Sequence, residues 1–428
     1  MTKPVLGFAG MTHLGLVSGV CAAEKGFRAI CFDPDPALTA LLASGELPVS
    51  EPGLPELLAK NKEQLTFTPD SGALSTCDVV YVAPDVPTDD QGRSDLRTVN
   101  AMLDSAFGAT RKDAAVVVLS QVPPGYTRGK QQPGRSLNYE VETLVFGRAV
   151  ERALNPERYI VGCADPVHPL PAAYAAFLGA HRCPILPMRF ESAELAKISI
   201  NMCLAASVST ANTLAELCEH IGADWSEIVP ALMLDKRIGQ YAYLAAGLGI
   251  AGGNLERDLA TICNVADGHG TDANVVRAWI ANSRHRRDWA LQTLHRVVLS
   301  KVDDPVIAVL GLAYKQDTHS TKNSASLALL GHLQPFRVRV FDPVVPSSAI
   351  PSPRCHAATS ELDACEGADA LAIMTPWAQF GKLDPEQIAR RMRGKSILDP
   401  YAVLKAAACR AAGLEYHTLG MKSRRKGQ

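Results

Sequence analysis

Residues 5–9 form a short unbroken apolar run, Gly10 interrupts it, and a helical pattern follows from His13 to Lys25. After Gly26 a second apolar run, residues 28–32, ends at Asp33. This order predicts a βαβ unit. Apolar runs at 79–83 and 115–119, separated by a helical pattern around 98–107, extend the alternation and predict a doubly wound parallel sheet. Residues 191–222 read as one long helix closed by Gly222, with neither proline nor glycine before it. At 1.5 Å per residue it spans roughly 45 Å, long enough to bridge two domains. Another helical pattern covers 272–298. A second α/β segment opens at 305–311, and its Val309-Leu310-Gly311-Leu312-Ala313 with the later Phe341-Asp342-Pro343 echoes the start of the chain with its Phe32-Asp33-Pro34. Two similar α/β lobes are therefore expected. The second continues through strand candidates at 370–374 and 396–398, and its boundary falls in the polar stretch 300–304.

Composition narrows the function classes. The 428 residues are 47% hydrophobic and 20% charged, a globular balance with room for two or three cores. Lys plus Arg number 43 against 44 Asp plus Glu, so no global field recruits nucleic acid or an anionic membrane, and anionic ligands have to be held locally. The 11 cysteines are scattered without paired CxxC spacings, which argues against a disulfide framework or a structural zinc site and fits a reducing cytoplasm. No metal is expected. No secretory segment opens the chain and no apolar run reads as membrane-spanning. The basic run 422–426 reads as a solvated tail.

Candidate chemistry begins at Gly10-Met11-Thr12-His13-Leu14-Gly15. A dinucleotide turn reads GxGxxG, with the middle glycine letting backbone approach the diphosphate. Here that glycine is Thr12, whose Cβ intrudes where the diphosphate sits, although its hydroxyl can donate instead. A strand precedes and a helix N-terminus with free amides follows. Asp33 closes the second strand at close to the ~20-residue distance expected for an acid binding a ribose 2′-hydroxyl. An acid there also repels a 2′-phosphate, so the cofactor expected is NAD. The bland alternative is a degenerate turn that binds nothing.

The residues of Ser50-Glu51-Pro52-Gly53-Leu54, Asp235-Lys236-Arg237-Ile238-Gly239, Gly247 to Asp258 and Gly311 to Thr318 resemble motifs of the UDP-glucose/GDP-mannose dehydrogenase family, and the likeness covers nearly the whole chain. The resemblance implies a Rossmann NAD-binding domain over 1–190, a central helical dimerisation domain with one long connecting helix over 191–300, and a Rossmann-like nucleotide-sugar-binding domain over 301–428. A homodimer acting on a nucleotide sugar is expected. Cofactor contacts would come from Gly10, Thr12, His13, Leu14, Gly15, Asp33, Pro87 and Gln121. Lys197 and Asn201, four apart and so on one helix face, match the family's active-site lysine and asparagine. A lysine desolvated in a cleft can accept an alcohol proton, directly or through water, and the small apolar flanking residues favour this over a solvated surface lysine. Asp258 matches the aspartate that shares a water with that lysine; a capping role at a helix start competes. Substrate contacts would come from Glu142, Arg237 (from the neighbouring subunit), Gly252 and Lys315. On residue type alone, Arg237 and Lys315 fit surface salt bridges equally well. Trp377 reads as core.

The departures from the family are equally informative. Asn254 stands where the family has the cysteine that holds the aldehyde covalently for a second oxidation. Gln121 replaces its catalytic-water threonine, and Asp399-Pro400-Tyr401-Ala402 replaces its aspartate-glycine-arginine-asparagine. An ungapped count puts Glu142 and Phe146 at the family's two acidic loop positions. Cys263 lies more than two helical turns past Asn254 and reads as packing. Residues serving cofactor and diphosphate mostly survive; those serving thioester chemistry mostly do not. The expectation is a single two-electron oxidation of a sugar hydroxyl to a ketone or aldehyde, with Lys197 as base, Asp258 acting through water, and Asn201 and Asn254 binding the reacting oxygen. The altered sugar pocket resembles Cys-lacking relatives of antibiotic pathways such as lincosamide octose assembly. The alternative is a non-catalytic sugar-nucleotide-binding homologue.

Overall fold

The computed structural model describes residues 3–87, 89, 93–350 and 354–422; the basic run beyond 422 lies outside them. The chain divides into two compact units, Met1–Ile200 and Asn201–Gln428.

The first unit is built on an eight-stranded sheet in the order β3-β2-β1-β4-β5-β6-β7-β8. Its strands are β1 Leu6–Ala9, β2 Ala29–Phe32, β3 Leu65–Thr68, β4 Val79–Val82, β5 Ala115–Val118, β6 Ser136–Glu140, β7 Tyr159–Cys163 and β8 Ile185–Arg189. All pairs are parallel except β6 with β7, because the connection from Val141 to Arg158 returns along the same edge. The sequence-based expectation of a wholly parallel sheet is corrected at that pair. Strands β1, β4 and β5 are buried at every position, since apolar cores cover both faces, and this makes them unbroken apolar runs in the sequence.

The second unit carries six parallel strands: β9 Val306–Leu310, β10 Arg337–Phe341, β11 Cys355–Ala357, β12 Ala370–Ile373, β13 Ser396–Leu398 and β14 Glu415–His417. Their order is β11-β10-β9-β12-β13-β14, the same 3-2-1-4-5-6 arrangement that opens the first sheet. The echo extends to detail. Gly10 and Gly311 have φ of 96° and 93°, and each amide donates to the phenylalanine carbonyl that ends the neighbouring strand. Asp33 accepts from Met11 N, and Asp342 from Leu312 N and Ala313 N. Trp377 packs in this core and donates its indole N–H to Asp342.

Between the sheets in sequence lie helices Phe190–Ile221, Trp225–Leu234, Asn254–His269 and Asn274–Arg287. By length and composition Phe190–Ile221 is apolar enough to cross a membrane, with a window of mean hydropathy 1.2, so the expectation that no run reaches that length is corrected. Its polar side chains are engaged within the protein: Glu194 accepts from Gly125 N and Thr127 N, and Asn212 from Gly247 N. Where the sequence suggests one helical pattern over 272–298, there are three segments, Asn274–Arg287, Trp289–Leu294 and the wider turn His295–Leu299.

Candidate active site

In the first unit, β1 delivers the chain to Gly10, where an added Cβ would lie 2.9 Å from Pro84 N. At Gly15 it would lie 2.0 Å from the Gly10 carbonyl oxygen, so only glycine closes this turn onto helix His13–Glu24. Thr12 caps that helix at φ −77°, ψ −174°, ordinary extended backbone, which is why losing the middle glycine costs no strain. Its hydroxyl accepts from Asp85 N at 2.8 Å. The structure thus places the Thr12 oxygen against its own chain rather than leaving it free for a diphosphate. His13 and Leu14 are buried, so their amides are what they offer an anion. His13 Nε2 sits 3.0 Å from Glu51 Oε2, and Glu51 also accepts from Gly147 N and Ala149 N. The acid of the Glu51-Pro52-Gly53-Leu54 turn therefore anchors the loop after β6, and Phe146 from that loop packs against the His13 ring, tilted by 30° with ring centres 4.2 Å apart. Asp33 ends β2 with one oxygen on Met11 N and the other on Asp35 N. The Pro87 carbonyl accepts from Asp95 N, and Gln121 follows Ser120, whose hydroxyl donates to Pro84 O at 2.5 Å. The tight glycine turn, the open helix amides and the acid at the end of β2 fit a dinucleotide.

Lys197, on the long helix, donates to the Glu142 carbonyl at 2.7 Å and lies 3.3 Å from Glu142 Oε2, both side chains largely buried. Glu142 also accepts from Leu144 N. Two residues reached by different sequence arguments, a motif match and a residue count, thus meet. Sequence reasoning missed Glu194, one turn earlier, which fixes the Gly125–Thr127 segment after β5. Burial pushes its carboxyl up, partly offset by those hydrogen bonds.

In the second unit, Asn201 donates its amide to Asp258 Oδ2 at 2.5 Å, and Arg257 Nε sits 3.0 Å from Asp258 Oδ1. Asp258 is only 1% exposed and lies inside helix Asn254–His269, one turn past its start. The capping role considered for it is therefore overturned: a cap precedes the first turn, whereas this carboxylate points into a buried pair. Arg257, its partner, gave no signal in the sequence because neighbouring helical residues are not expected to face each other. Asn254 is exposed as the first residue of the helix. Before it, Gly252 has φ +86°, and an added Cβ would meet the Tyr314 ring at 3.0 Å. The Gly252 carbonyl accepts from Asn323, and its N–H donates to Lys322 O, so the glycine loop is strapped to residues 314–323. Lys315, in that strap, holds its ammonium 5.8 Å from the Tyr314 ring centre. Arg237 stands in solvent, its side chain 89% exposed, paired with Asp235 at 2.6 Å. In this chain alone, that is the surface-pair reading. At the altered segment 399–402, Asp399 is buried and accepts from Val403 N, Leu404 N and Tyr416 OH, while Ala402 takes φ +51°.

Three family models match in order: the NAD binding domain over residues 5–174, the central domain over 191–284 and the UDP binding domain over 308–406. UDP-glucose 6-dehydrogenase of Bacillus subtilis is 30% identical, with 96% of this chain and 92% of the relative covered. The chain belongs to the UDP-glucose/GDP-mannose dehydrogenase family. The UDP-glucose 6-dehydrogenase of Pseudomonas aeruginosa is also 30% identical, over 96% of each chain. Among solved structures, a UDP-glucose dehydrogenase from Pyrobaculum islandicum is 26% identical and superposes with a TM-score of 0.83 over 97% of both chains. As a member of this family the protein is an NAD-dependent nucleotide-sugar dehydrogenase, an oxidoreductase acting on CH–OH, with an N-terminal Rossmann domain, a central helical domain and a C-terminal UDP-binding domain.

Proposed function

We propose that this dehydrogenase removes one hydride and one proton from a nucleotide sugar and stops at the carbonyl. The observation that carries the reading is Asn254. It occupies the exposed first position of its helix, on the glycine loop strapped to Lys322 and Asn323, and an amide cannot form the thiohemiacetal that a second oxidation requires. Cys263, on the same helix, is a poor substitute because partial burial raises its thiol pKa and disfavours the thiolate. Phe146 supports the same reading, since it packs against His13 where the family resemblance puts a second acid.

NAD, when bound, supplies the hydride acceptor; the Gly10–Gly15 turn and Asp33 would hold it. The substrate hydroxyl gives its proton to Lys197 acting as an uncharged amine, and the Glu142 carboxylate balances the ammonium that results. Asn201 and Asn254 hydrogen-bond the reacting oxygen, and Asp258, fixed by Arg257, orients the Asn201 amide. The carbon loses a hydride and the oxygen a proton, which leaves a ketone or an aldehyde. Lys315 and the strap around it would take the substrate diphosphate. The protein acts as a homodimer, a reading supported by the exposed apolar side chains of the central helical segment, Leu234 and Tyr241 foremost, with Arg237 beside them. Its 11 free thiols suit a reducing cytoplasm.

Incubation with NAD and a panel of UDP- and GDP-sugars in the presence of hydroxylamine tests the reaction. An oxime of the intact nucleotide sugar is expected. A nucleotide uronate that forms with hydroxylamine present would refute the reading.

A further inference from the structure

We propose that the cavity beside Glu140 in the first unit is a binding site for a small organic ammonium ion, its N–H groups on the Glu140 carboxylate and its short apolar stem among aromatic rings. This binding is separate from the oxidation of the sugar, and neither depends on the other.

The cavity measures about 60 Å³ and is lined by helix His13–Glu24 and by strands β1, β4, β6 and β7. At roughly 10–15 Å³ for a water-sized group, it takes about four or five such groups. Phe8, Tyr81, Tyr159 and Phe177 supply aromatic walls. The Phe8 and Tyr81 rings stack with centres 5.2 Å apart, and Phe177 meets Tyr81 edge-on at 5.9 Å. Glu140 is the acid in this apolar setting and is only 6% exposed. Tyr81 and Tyr174 both donate to its Oε2, whereas its Oε1 has no hydrogen-bond partner among the described residues. The basic residue of the lining, Arg152, is spent elsewhere: it donates to Thr143 O and lies 3.4 Å from Glu157. Glu142, the other acid of the lining, already has Lys197.

A buried carboxylate with an unmatched oxygen is costly until something donates to it. Burial outweighs the two tyrosine hydrogen bonds and pushes the Glu140 carboxyl up to about 7, so at pH 8 it carries a charge without a counter-ion. The titratable groups around it do not supply one. Burial raises Tyr81, Tyr174, Tyr159, Cys21 and Cys183 and lowers His181, which leaves all of them uncharged at that pH. The complement is a single positive charge with N–H donors, since aromatic faces attract a cation and Oε1 accepts from it. The Tyr159 hydroxyl, which also lacks a partner among the described residues, offers a second acceptor.

Calorimetric titration of the full chain with propylammonium chloride at pH 8 is the test. A dissociation constant between about 0.1 and 10 mM is expected for a ligand of this size. Propan-1-ol, which matches the shape without the charge, should bind at least about tenfold more weakly, and so should sodium and the oversized tetrapropylammonium. Glu140→Gln keeps an acceptor for the two tyrosines but not the charge, and should lose about tenfold or more in affinity. Ala153→Leu enlarges a wall of the cavity without touching the acid, and should lose as much; it decides the matter if the glutamine variant does not fold. The proposal is overturned if propylammonium does not bind the native chain, if propan-1-ol or sodium binds as tightly, or if either folded variant binds propylammonium as tightly as the native chain.

Discussion

A single buried acid shows how strongly the first unit constrains its residues. Glu140 ends β6 in the core, where its Oε2 accepts from Tyr81 OH at 3.1 Å and Tyr174 OH at 2.7 Å. Burial outweighs those two hydrogen bonds and pushes its carboxyl up to about 7. Because the folded value lies above the ordinary one of 4.5, the folded chain binds more protons than the unfolded chain between these limits. Stability therefore falls as pH rises from about 4.5 to 7 and levels off above, by an amount on the order of 3 kcal/mol. Glu140→Gln should flatten that part of the urea midpoint against pH, and an unchanged slope would show that Glu140 is not its source. The same scale shows why some site residues are legible in sequence and others are not. Lys197 and Asn201 are legible through their resemblance to the family's active-site motif, and their four-residue spacing adds only that they share a helix face. Glu194, which fixes the segment after β5, matches no motif and shows nothing locally of its long-range partners. The buried pairing of Asp258 with Asn201 joins residues far apart in the chain, so its burial could not be read locally.

At the level of elements, the sheets were the most legible part. A strand buried on both faces has to be apolar throughout, so β1, β4 and β5 appear as runs, and the glycine and aspartate that punctuate them mark the turns. The antiparallel β6–β7 pair was not legible, because direction is set by the path of the connecting loop and leaves no mark in either strand. Turn chemistry is legible where a rare conformation is demanded. Ala402 adopts φ +51°, a region that disfavours alanine and tolerates asparagine, the residue expected there from the family resemblance. Ala402 is exposed, so the substitution meets no packing cost. Ala402→Asn should raise the unfolding free energy by about 0.5 to 1 kcal/mol in a urea titration; a loss of stability would show that the strain is absorbed elsewhere.

For the whole molecule, the repeat of one strand order in two sheets was foreshadowed by the paired Phe-Asp-Pro endings of β2 and β10, because the same turn requires the same acid to take its amides. Self-association belongs to this scale as well. Leu234 is 84% and Tyr241 85% exposed, beside Met233 and Ile238. Apolar side chains grouped in this way are expected to be covered by a partner. Light scattering should give about twice the 45.7 kDa chain mass for the native protein and a lower mass for Leu234→Glu; a native monomer at micromolar concentration would contradict the dimer. Catalytic outcome is the remaining property of the whole, and it depends on the amide at position 254. The most direct measurement is the ratio of NADH formed to nucleotide sugar consumed, taken at completion with a turned-over substrate. One NADH per sugar, with a ketone or aldehyde product, is the predicted result. Two NADH per sugar, with a carboxylate product, would contradict it.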